Sequence, residues 1–463
     1  MSRERAEHGT TGPLSGTDPA SARGMLALRF VQPDRSLPSA LLARPLLTLG
    51  RDHDNDFVLS GNATSRRHAR IERRGSAVAV LDLKSRNGVF LDGEKVTLAP
   101  LLAGSVLRVG DWVGVVHEQR ENEPSFVGEL FGGLAGSAAL ARALETAGRA
   151  AASSLSLLVL GETGTGKELV ARALHDASGR PGPFVAVNCA ALSETLLDAE
   201  LFGHERGAFT GADRARLGWV READRGTLFL DELGELSASA QGKLLRTLET
   251  HEVSPLGSTA SFRSDFRVIG ATHRDLRALV AGGRFRADLF ARLEGAVVQL
   301  PPLRTRREDV PALFARFAER ALGRASPRTS ARLIEALCLY DWPGNVRELR
   351  QLAERLAVLR GSEPEWRLRH LADLLPALSE RHSAPPITER QSGPPLADGE
   401  HAAVRSLPPE GKQRELLAAL REAGGNVTAA ARLLGLSKQS LYRWIRDNAV
   451  DLGAFRSGPP SPH

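Results

Sequence analysis

From residue 25 onward the chain is written in short apolar runs. They fall at 26–30, 46–49, 57–59, 69–71, 78–83, 89–91, 106–109 and 112–116, separated by turn pairs such as Asp92-Gly93 and Gly110-Asp111. Runs this short, broken this regularly, predict an antiparallel β-sandwich over 25–118. Over 131–300 the texture changes: apolar runs at 155–160, 184–187, 227–230, 268–271 and 297–300 alternate with stretches of helical spacing, which predicts a parallel α/β sheet. Residues 301–375 read as a helical region. Further on, 410–422 is an amphipathic helix carrying Leu416, Leu417 and Leu420. A short helix over 429–434, the turn Gly435-Leu436-Ser437 and a second helix over 438–447 complete a helix-turn-helix within 410–450, with Ser437 as N-cap. Between these units lie a disordered N-terminal tail (1–24), a charged linker (119–130), a Pro-, Ser- and Gly-rich spacer (376–409) and a C-terminal tail (451–463). The expected fold class is multidomain: a β-sandwich, an α/β domain with a helical lid, and an all-α helix-turn-helix.

At 463 residues the chain has room for two to four compact units. Its two cysteines, Cys189 and Cys338, are far apart and lack metal-ligand spacing, which argues against a disulfide framework or zinc site and for the reducing cytoplasm. No secretory leader fits the polar N-terminus and no apolar run is long enough to span a bilayer, so no membrane partner is expected. The net charge of +6 fits contact with nucleic acid and fits arginine-rich coding bias equally well. Charge therefore changes the picture little.

The motifs change it more. The apolar run ending at Leu160 enters Gly161-Glu162-Thr163-Gly164-Thr165-Gly166-Lys167-Glu168, a glycine-rich loop with a terminal lysine at the start of a helix. Such a loop wraps backbone N–H groups around nucleotide phosphates, and its lysine reaches the β and γ oxygens. Glu168 stands where the motif has Ser or Thr for magnesium. A second strand ends in Asp231-Glu232, a Walker B pattern in which Asp231 holds magnesium and Glu232 orients or deprotonates the attacking water. Arg286 and Arg292, on one helical segment, suit arginine fingers that reach a neighbour's γ-phosphate, and Arg347 lies in the helical region from which it can close onto the nucleotide.

Nothing in ATPase chemistry requires the run Glu200-Leu201-Phe202-Gly203-His204-Glu205-Arg206-Gly207-Ala208-Phe209-Thr210-Gly211-Ala212. Its small residues let a loop protrude with Phe209 as an apolar tip. Here the chain resembles the bacterial enhancer-binding proteins, the AAA+ activators of sigma-54 RNA polymerase. GETGTGKE, NCAAL, ELFGHERGAFTGA, GTLFLDEL, ATHRDL, FRADLFARL and WPGNVREL stand in that family's order across about 131–375. In this family glutamate commonly follows the loop lysine, so Glu168 fits the pattern. The resemblance implies that Lys167 binds phosphate, Asp231 and Glu232 form the metal and hydrolysis pair, and Asn188 restrains Glu232 until the γ-phosphate is sensed. It makes Thr272 and His273 the first sensor, Arg286 and Arg292 fingers acting in trans, Arg347 the second sensor, and Gly207, Ala208, Phe209, Thr210, Gly211 and Ala212 the loop that touches sigma-54. Around the fingers the chain departs from the family with Phe290-Ala291 and Glu294-Gly295. Fingers in trans require a cyclic oligomer, and the family implies a hexamer. ATP and Mg2+ are the implied cofactors.

In the sandwich, Gly50-Arg51, Ser65-Arg66-Arg67-His68 and Ser85-Arg86-Asn87-Gly88 resemble the forkhead-associated (FHA) signature, with Val89 in place of the usual threonine. The resemblance implies that Arg51, Ser65 and Arg66 meet a phosphothreonine, Asn87 holds the peptide backbone and His68 braces the loop; the partner is then a phosphorylated protein, a Ser/Thr kinase or its substrate. The helix-turn-helix resembles the Fis-type domain that ends these activators. Leu441 and Ile445 face its core, which leaves Lys438, Gln439, Ser440, Arg443 and Arg446 as base and phosphate readers on double-stranded DNA, with Trp444 where the family has a basic residue. The combined expectation is a sigma-54-dependent regulator that binds an upstream DNA site, senses a phosphorylated partner and uses ATP hydrolysis in a ring to remodel sigma-54 RNA polymerase holoenzyme and open the promoter. Two other classes compete: a protein-remodelling AAA+ ATPase with an FHA adaptor, and a DNA-binding repressor with a vestigial ATPase.

Overall fold

The computed structural model describes residues 25–31, 39–120, 127–130, 134–208, 212–371 and 374–375, together with 418–421, 423, 427 and 430. The chain divides into two compact units, 1–385 and 386–463.

In the first unit, strands β1 (Met25–Phe30), β2 (Leu46–Gly50), β3 (Ala69–Arg74), β4 (Ala77–Asp82), β5 (Val89–Leu91), β6 (Val106–Val109) and β7 (Trp112–Gln119) build a β-sandwich. One sheet runs Ala40–Leu41, β1, β7, β6, β5, Glu94–Val96; the other runs Phe57–Val58, β2, β3, β4, Leu98–Pro100. Alternate residues from both sheets meet in one core, Leu28 and Phe30 with Leu49, Ile71, Val80, Leu107, Val109 and Trp112. Phe30 packs edge-on against Phe57 and Trp112, with centroids at 5.5 and 5.7 Å. Strands β6 and β7 break the one-sided alternation. All of Val106, Leu107, Arg108 and Val109 are buried, as are Trp112 to Val116, because a second element covers the outer face.

The α/β domain comprises α1 (Ala138–Ala150), β8 (Leu157–Leu160), α2 (Lys167–Ser178), β9 (Phe184–Asn188), α3 (Glu194–Phe202), β10 (Thr227–Asp231), α4 (Ala238–Thr250), β11 (Arg267–Thr272), α5 (Ala287–Leu293) and β12 (Ala296–Gln299). Its five strands are parallel in the order β9-β10-β11-β8-β12. The unbroken run Leu228-Phe229-Leu230 follows from this: Leu228 and Leu230 enter the core on one face of the sheet and Phe229 the core on the other. Arg267 is an exception inside β11. Fully buried, it donates to the carbonyls of Ala150, Ala151 and Leu155 at 2.6, 2.7 and 3.0 Å, satisfying the C-terminal end of α1 and the turn after it.

The lid packs α6 (Val310–Leu322), α7 (Ala331–Leu339) and α8 (Asn345–Arg360) around Trp342 and Trp366, neither of which is exposed. Two departures from the sequence expectations are local. Part of the 119–130 stretch read as linker is strand: Gln119 closes β7, and Val127–Glu129 pairs antiparallel with Ala135–Gly136. The region read as helical also holds a short parallel pair, Arg328–Thr329 with Glu365–Trp366. Both pair backbone N–H and carbonyl groups across two short strands. In the second unit, 418–421 is helical and Ala419, Leu420, Val427 and Ala430 are buried. Leu416, Leu417 and the reader positions Lys438, Gln439, Ser440, Arg443 and Arg446 lie outside the described residues. Among the described residues no helix is long and apolar enough to cross a membrane.

Leu49 sits at the centre of the sandwich with no exposed surface. Leu49→Ala is expected to destabilise the protein by about 2–5 kcal/mol, read from the denaturant midpoint; a shift within error would mean the core is not packed as described.

Candidate functional site

A parallel sheet delivers its loops at the carboxyl ends of its strands, and four sequence-predicted positions come from there. The phosphate loop follows β8, Asn188 and Asp231 end the neighbouring strands β9 and β10 in direct register, and Thr272 ends β11 opposite Leu160. Gly164 and Gly166 take φ of +78° and +105°, conformations that favour glycine, and Gly166 opens α2 so that Lys167 is its first residue. Lys167 is only 7% exposed. Its ammonium donates to the Gly161 and Glu162 carbonyls at 3.0 and 3.3 Å. Burial pulls its pKa down while Glu232 and Asp231 pull it back up. Burial likewise raises the pKa of Asp231, against the attraction of Lys167. The two charges thus share one poorly solvated spot.

Glu232 has a left-handed backbone (φ +53°) and its N–H donates to Asp231 Oδ1 at 3.0 Å. Its Oε2 lies 2.8 Å from His273 Nδ1. A carboxylate only accepts, so Nδ1 carries the proton. The side chain on Glu232 is therefore that of His273, one of the two residues given the first-sensor role by resemblance. Asn188, given that role by resemblance, uses its Oδ1 to accept from Ala190 N at 2.9 Å and so closes its own turn. Thr272 is buried, with Oγ1 accepting from Arg274 N.

The lid reaches the same loop through residues the sequence reading left out. Arg304 grips Glu162 with two bonds of 2.7 and 2.5 Å. That grip, with a further bond from Asn345, holds the Glu162 carboxyl down at about 2. Asn345 is fully buried at φ +51°; its Nδ2 donates to Glu162 Oε2 and the Thr163 carbonyl (3.1 and 3.0 Å), and its Oδ1 accepts from Leu303 N at 2.8 Å. The motif containing Asn345 was visible in sequence; a buried bridging amide was the missed signal. Arg347, the third residue of α8, is exposed, and its charge bears on Lys167.

Arg286 and Arg292 are both exposed at the α4–α5 edge. Arg286 stands at the N-terminal boundary of α5 and pairs with Asp288 at 3.0 and 2.8 Å, while its N–H donates to Gln241. Arg292 donates to the Leu248 carbonyl at 3.3 Å. These partners lie on α4 and α5 and not on the phosphate loop. At the loop run, His204 and Arg216 pair across the stem at 3.1 and 2.9 Å, and Gly207 N donates to the Ala212 carbonyl at 2.8 Å. Ala208 N turns back to Glu205 O. Phe209, Thr210 and Gly211 lie outside the described residues.

In the sandwich, three loops converge. A Cβ on Gly50 would stand 2.2 Å from the Arg66 carbonyl, so only glycine lets these loops touch. Arg51 N donates to Ser65 O, Ser65 Oγ accepts from Arg86 N at 3.1 Å, and Asn87 Nδ2 donates to Ala63 O at 2.7 Å. His68 has no exposed surface. Its Nδ1 accepts from Ser65 N at 3.0 Å and its Nε2 donates to Gly88 O at 3.1 Å, a pattern only the neutral ring can make, and burial lowers its pKa to match. The guanidinium groups of Arg51 and Arg66 stay in water beside this braced junction.

His68→Ala leaves a buried N–H and a buried carbonyl without partners, each worth about 1–3 kcal/mol. The variant is expected to lower the melting temperature and to broaden the amide resonances of residues 63–66 and 85–88; an unchanged melt would show that His68 is not the brace.

Family models match the chain in four consecutive places: FHA domain at 47–110, Sigma-54 interaction domain at 134–299, AAA+ ATPase lid domain at 304–386, and bacterial regulatory protein of the Fis family at 413–446. The chain is 41% identical over 329 residues to transcriptional regulatory protein ZraR of Escherichia coli (strain K12), covering 70% of each. It is 42% identical over 343 residues to the C4-dicarboxylate transport transcriptional regulatory protein DctD of Pseudomonas aeruginosa, covering 72% of this chain and 68% of that one. Among solved structures, NtrX from Brucella abortus in complex with ATP aligns at 33% identity over 68% of this chain and 69% of its own, with a TM-score of 0.48. By its relatives and by the order of its domains, the chain belongs to the sigma-54-dependent transcriptional activators, carrying an FHA domain before the sigma-54 interaction domain and a Fis-family helix-turn-helix after the lid.

Proposed function

We propose that this activator hydrolyses ATP in a cytoplasmic ring, a hexamer by family resemblance, and uses the cycle to drive the 207–212 loop against sigma-54 in the polymerase holoenzyme. The observation that carries the reading is the meeting of Lys167, Asp231 and the His273-held Glu232 at the carboxyl ends of β8, β10 and the strand β11 between them. Lys167 now donates to two loop carbonyls; a triphosphate offers its ammonium charged acceptors in their place, and the glycine-rich loop supplies N–H groups. Glu232 is the base or orienter for the attacking water. Its bond to His273 sets where its carboxylate points, so the histidine acts as a sensor by releasing or holding it.

Magnesium binds through one or two carboxylates and leaves the remaining positions to phosphate oxygens and water. The residues fit that demand, since Asp231 is a half-buried carboxylate beside Lys167 with Glu168 within electrostatic reach, and no group of three or more metal-type ligands occurs among the described residues. When bound, the ion would neutralise charge on the transferring phosphoryl group. Arg286 and Arg292 complete the site of the adjacent subunit, and Arg347 closes from the lid. Arg51, Ser65, Arg66 and Asn87 take a phosphothreonine peptide from a kinase or its substrate, and Lys438, Gln439, Ser440, Arg443 and Arg446 read the upstream DNA site.

Three measurements test this. With purified sigma-54 polymerase, Asp231→Asn is expected to lose ATP turnover and open-complex formation together. Thr210→Ala keeps turnover and loses open complexes; retention of both by Thr210→Ala would remove the loop from the mechanism. Binding of phosphothreonine peptides, detected by fluorescence anisotropy, is expected to vanish in Arg51→Ala; no binding by the wild type would retire the sensing role. DNA affinity is expected to fall steeply with salt, and in Arg443→Ala a slope shallower by about one unit would mark a lost phosphate contact, whereas relaxed sequence preference would mark a lost base contact.

A further inference from the structure

The outer face of β6 and β7 is covered by the ATPase lid. In β7, Trp112 and Val116 point into the sandwich, whereas Val113 and Val115 join Val31 and Val106 in a separate cluster with Ile334 and Cys338 of α7. The charges around this apolar contact are complementary. The FHA side contributes Arg29 and Arg108; the lid side contributes Glu308, Asp309 and Glu335. Arg108 Nε donates to Glu335 Oε2 at 2.6 Å, with the two side chains 11% and 2% exposed, while its guanidinium also covers the Phe90 ring at 3.7 Å. Arg307 Nη1 donates to the Gly104 carbonyl of the FHA domain at 2.8 Å.

The same short segment of chain touches the phosphate loop. Leu303 is held by Asn345, Arg304 grips Glu162, and the buried Arg306 reaches the Thr165 carbonyl at 3.4 Å and Asp309 at 3.7 Å. Residues 303–309 therefore meet the nucleotide loop through Arg304 and Arg306, with Leu303 tied to it by way of Asn345, and meet the FHA domain through the Arg307 bond to Gly104, while Glu308 and Asp309 pack against β7 within electrostatic reach of Arg29. The peptide-binding end of the sandwich is left open, since Arg51, Arg66 and Asn87 are exposed in this arrangement.

We propose that Arg108, Arg307 and Glu335 are positioning residues for nucleotide binding: by seating the FHA sheet on the lid they fix segment 303–309 against the phosphate loop. The FHA domain then acts on the ATP site while docked. The inference rests on the phosphate-loop reading above and is independent of peptide binding. The test uses the full chain, with Arg108→Glu, the exchanged pair Arg108→Glu/Glu335→Arg, and Arg307→Ala. KM for ATP and kcat are measured with hydrogen exchange over 303–309. Each single variant is expected to change KM by about 2- to 30-fold, the range spanned by couplings through packed networks, with a smaller effect on kcat and faster exchange at 303–309; the exchanged pair is expected to recover both. Unchanged KM and exchange in Arg307→Ala and in a folded Arg108→Glu would overturn the proposal. Should Arg108→Glu fail to fold, Arg307→Ala decides it, because that side chain is partly exposed and tolerates truncation. A wild type without ATP turnover would refute the proposed activity instead, and exchange at 303–309 would still decide this inference.

Discussion

Two backbones meet at Gly164, and the coupling of lid to sheet depends on that meeting. A Cβ at this position would stand 2.2 Å from the Gly344 carbonyl, and the Gly164 carbonyl accepts from Val346 N at 3.0 Å. The glycine therefore serves two ends. It opens the loop to phosphate, and it lets the start of α8 lie directly on it. Everything that follows in the lid is registered from this contact: Asn345 enters as a buried bridge, Arg347 is carried to the neighbourhood of Lys167, and Glu348 closes the turn by accepting from Gly344 N at 2.8 Å. A lid anchored this way transmits a change in the loop as a displacement of a whole helix.

The site is built from charges that water does not solvate well. Lys167 and Asp231 are each pushed towards neutrality by burial and held ionised by the other. Such a pair leaves little to reorganise when a polyanion and its counter-ion arrive. The same economy appears within segment 303–309, where burial pushes the Asp309 carboxyl up to about 7 and lowers the pKa of Arg306. Buried ion pairs give little net stability against an apolar alternative, because desolvation offsets their attraction. Their value here is orientation: a pair such as Arg108 and Glu335 has one good geometry, while the valines around it would tolerate several.

Much of the site could be read before any fold was known, because its chemistry is carried by contiguous residues. A glycine loop, two acids after an apolar strand, and the run around Phe209 each lie within a dozen positions, so spacing along the chain is spacing in space. The multidomain class followed in the same way from runs broken every few residues in one region and alternating with helices in the next. What escaped was contact between distant segments. Arg304 and Asn345 are 142 and 183 positions from the Glu162 they hold, and no local pattern announces them. Asn188 and His273 illustrate the same limit: both sit at strand ends, and only the relative placement of β9, β10 and β11 puts the imidazole and not the amide on Glu232.

One signal in the sequence was present and went unused. Val106 to Val109 and Trp112 to Val116 are buried on both faces, and such runs in an antiparallel sheet announce a second covering layer. The chain alone does not say what that layer is, since apolar surface is recognised by area and not by identity. By itself, then, the sequence determined the domain order, the sandwich, the parallel sheet and the nucleotide loop, all set by local periodicity and short motifs. Only the tertiary structure decided that the FHA sheet lies on the lid and that residues 303–309 touch both it and the nucleotide loop, because those contacts arise when elements hundreds of residues apart are packed together.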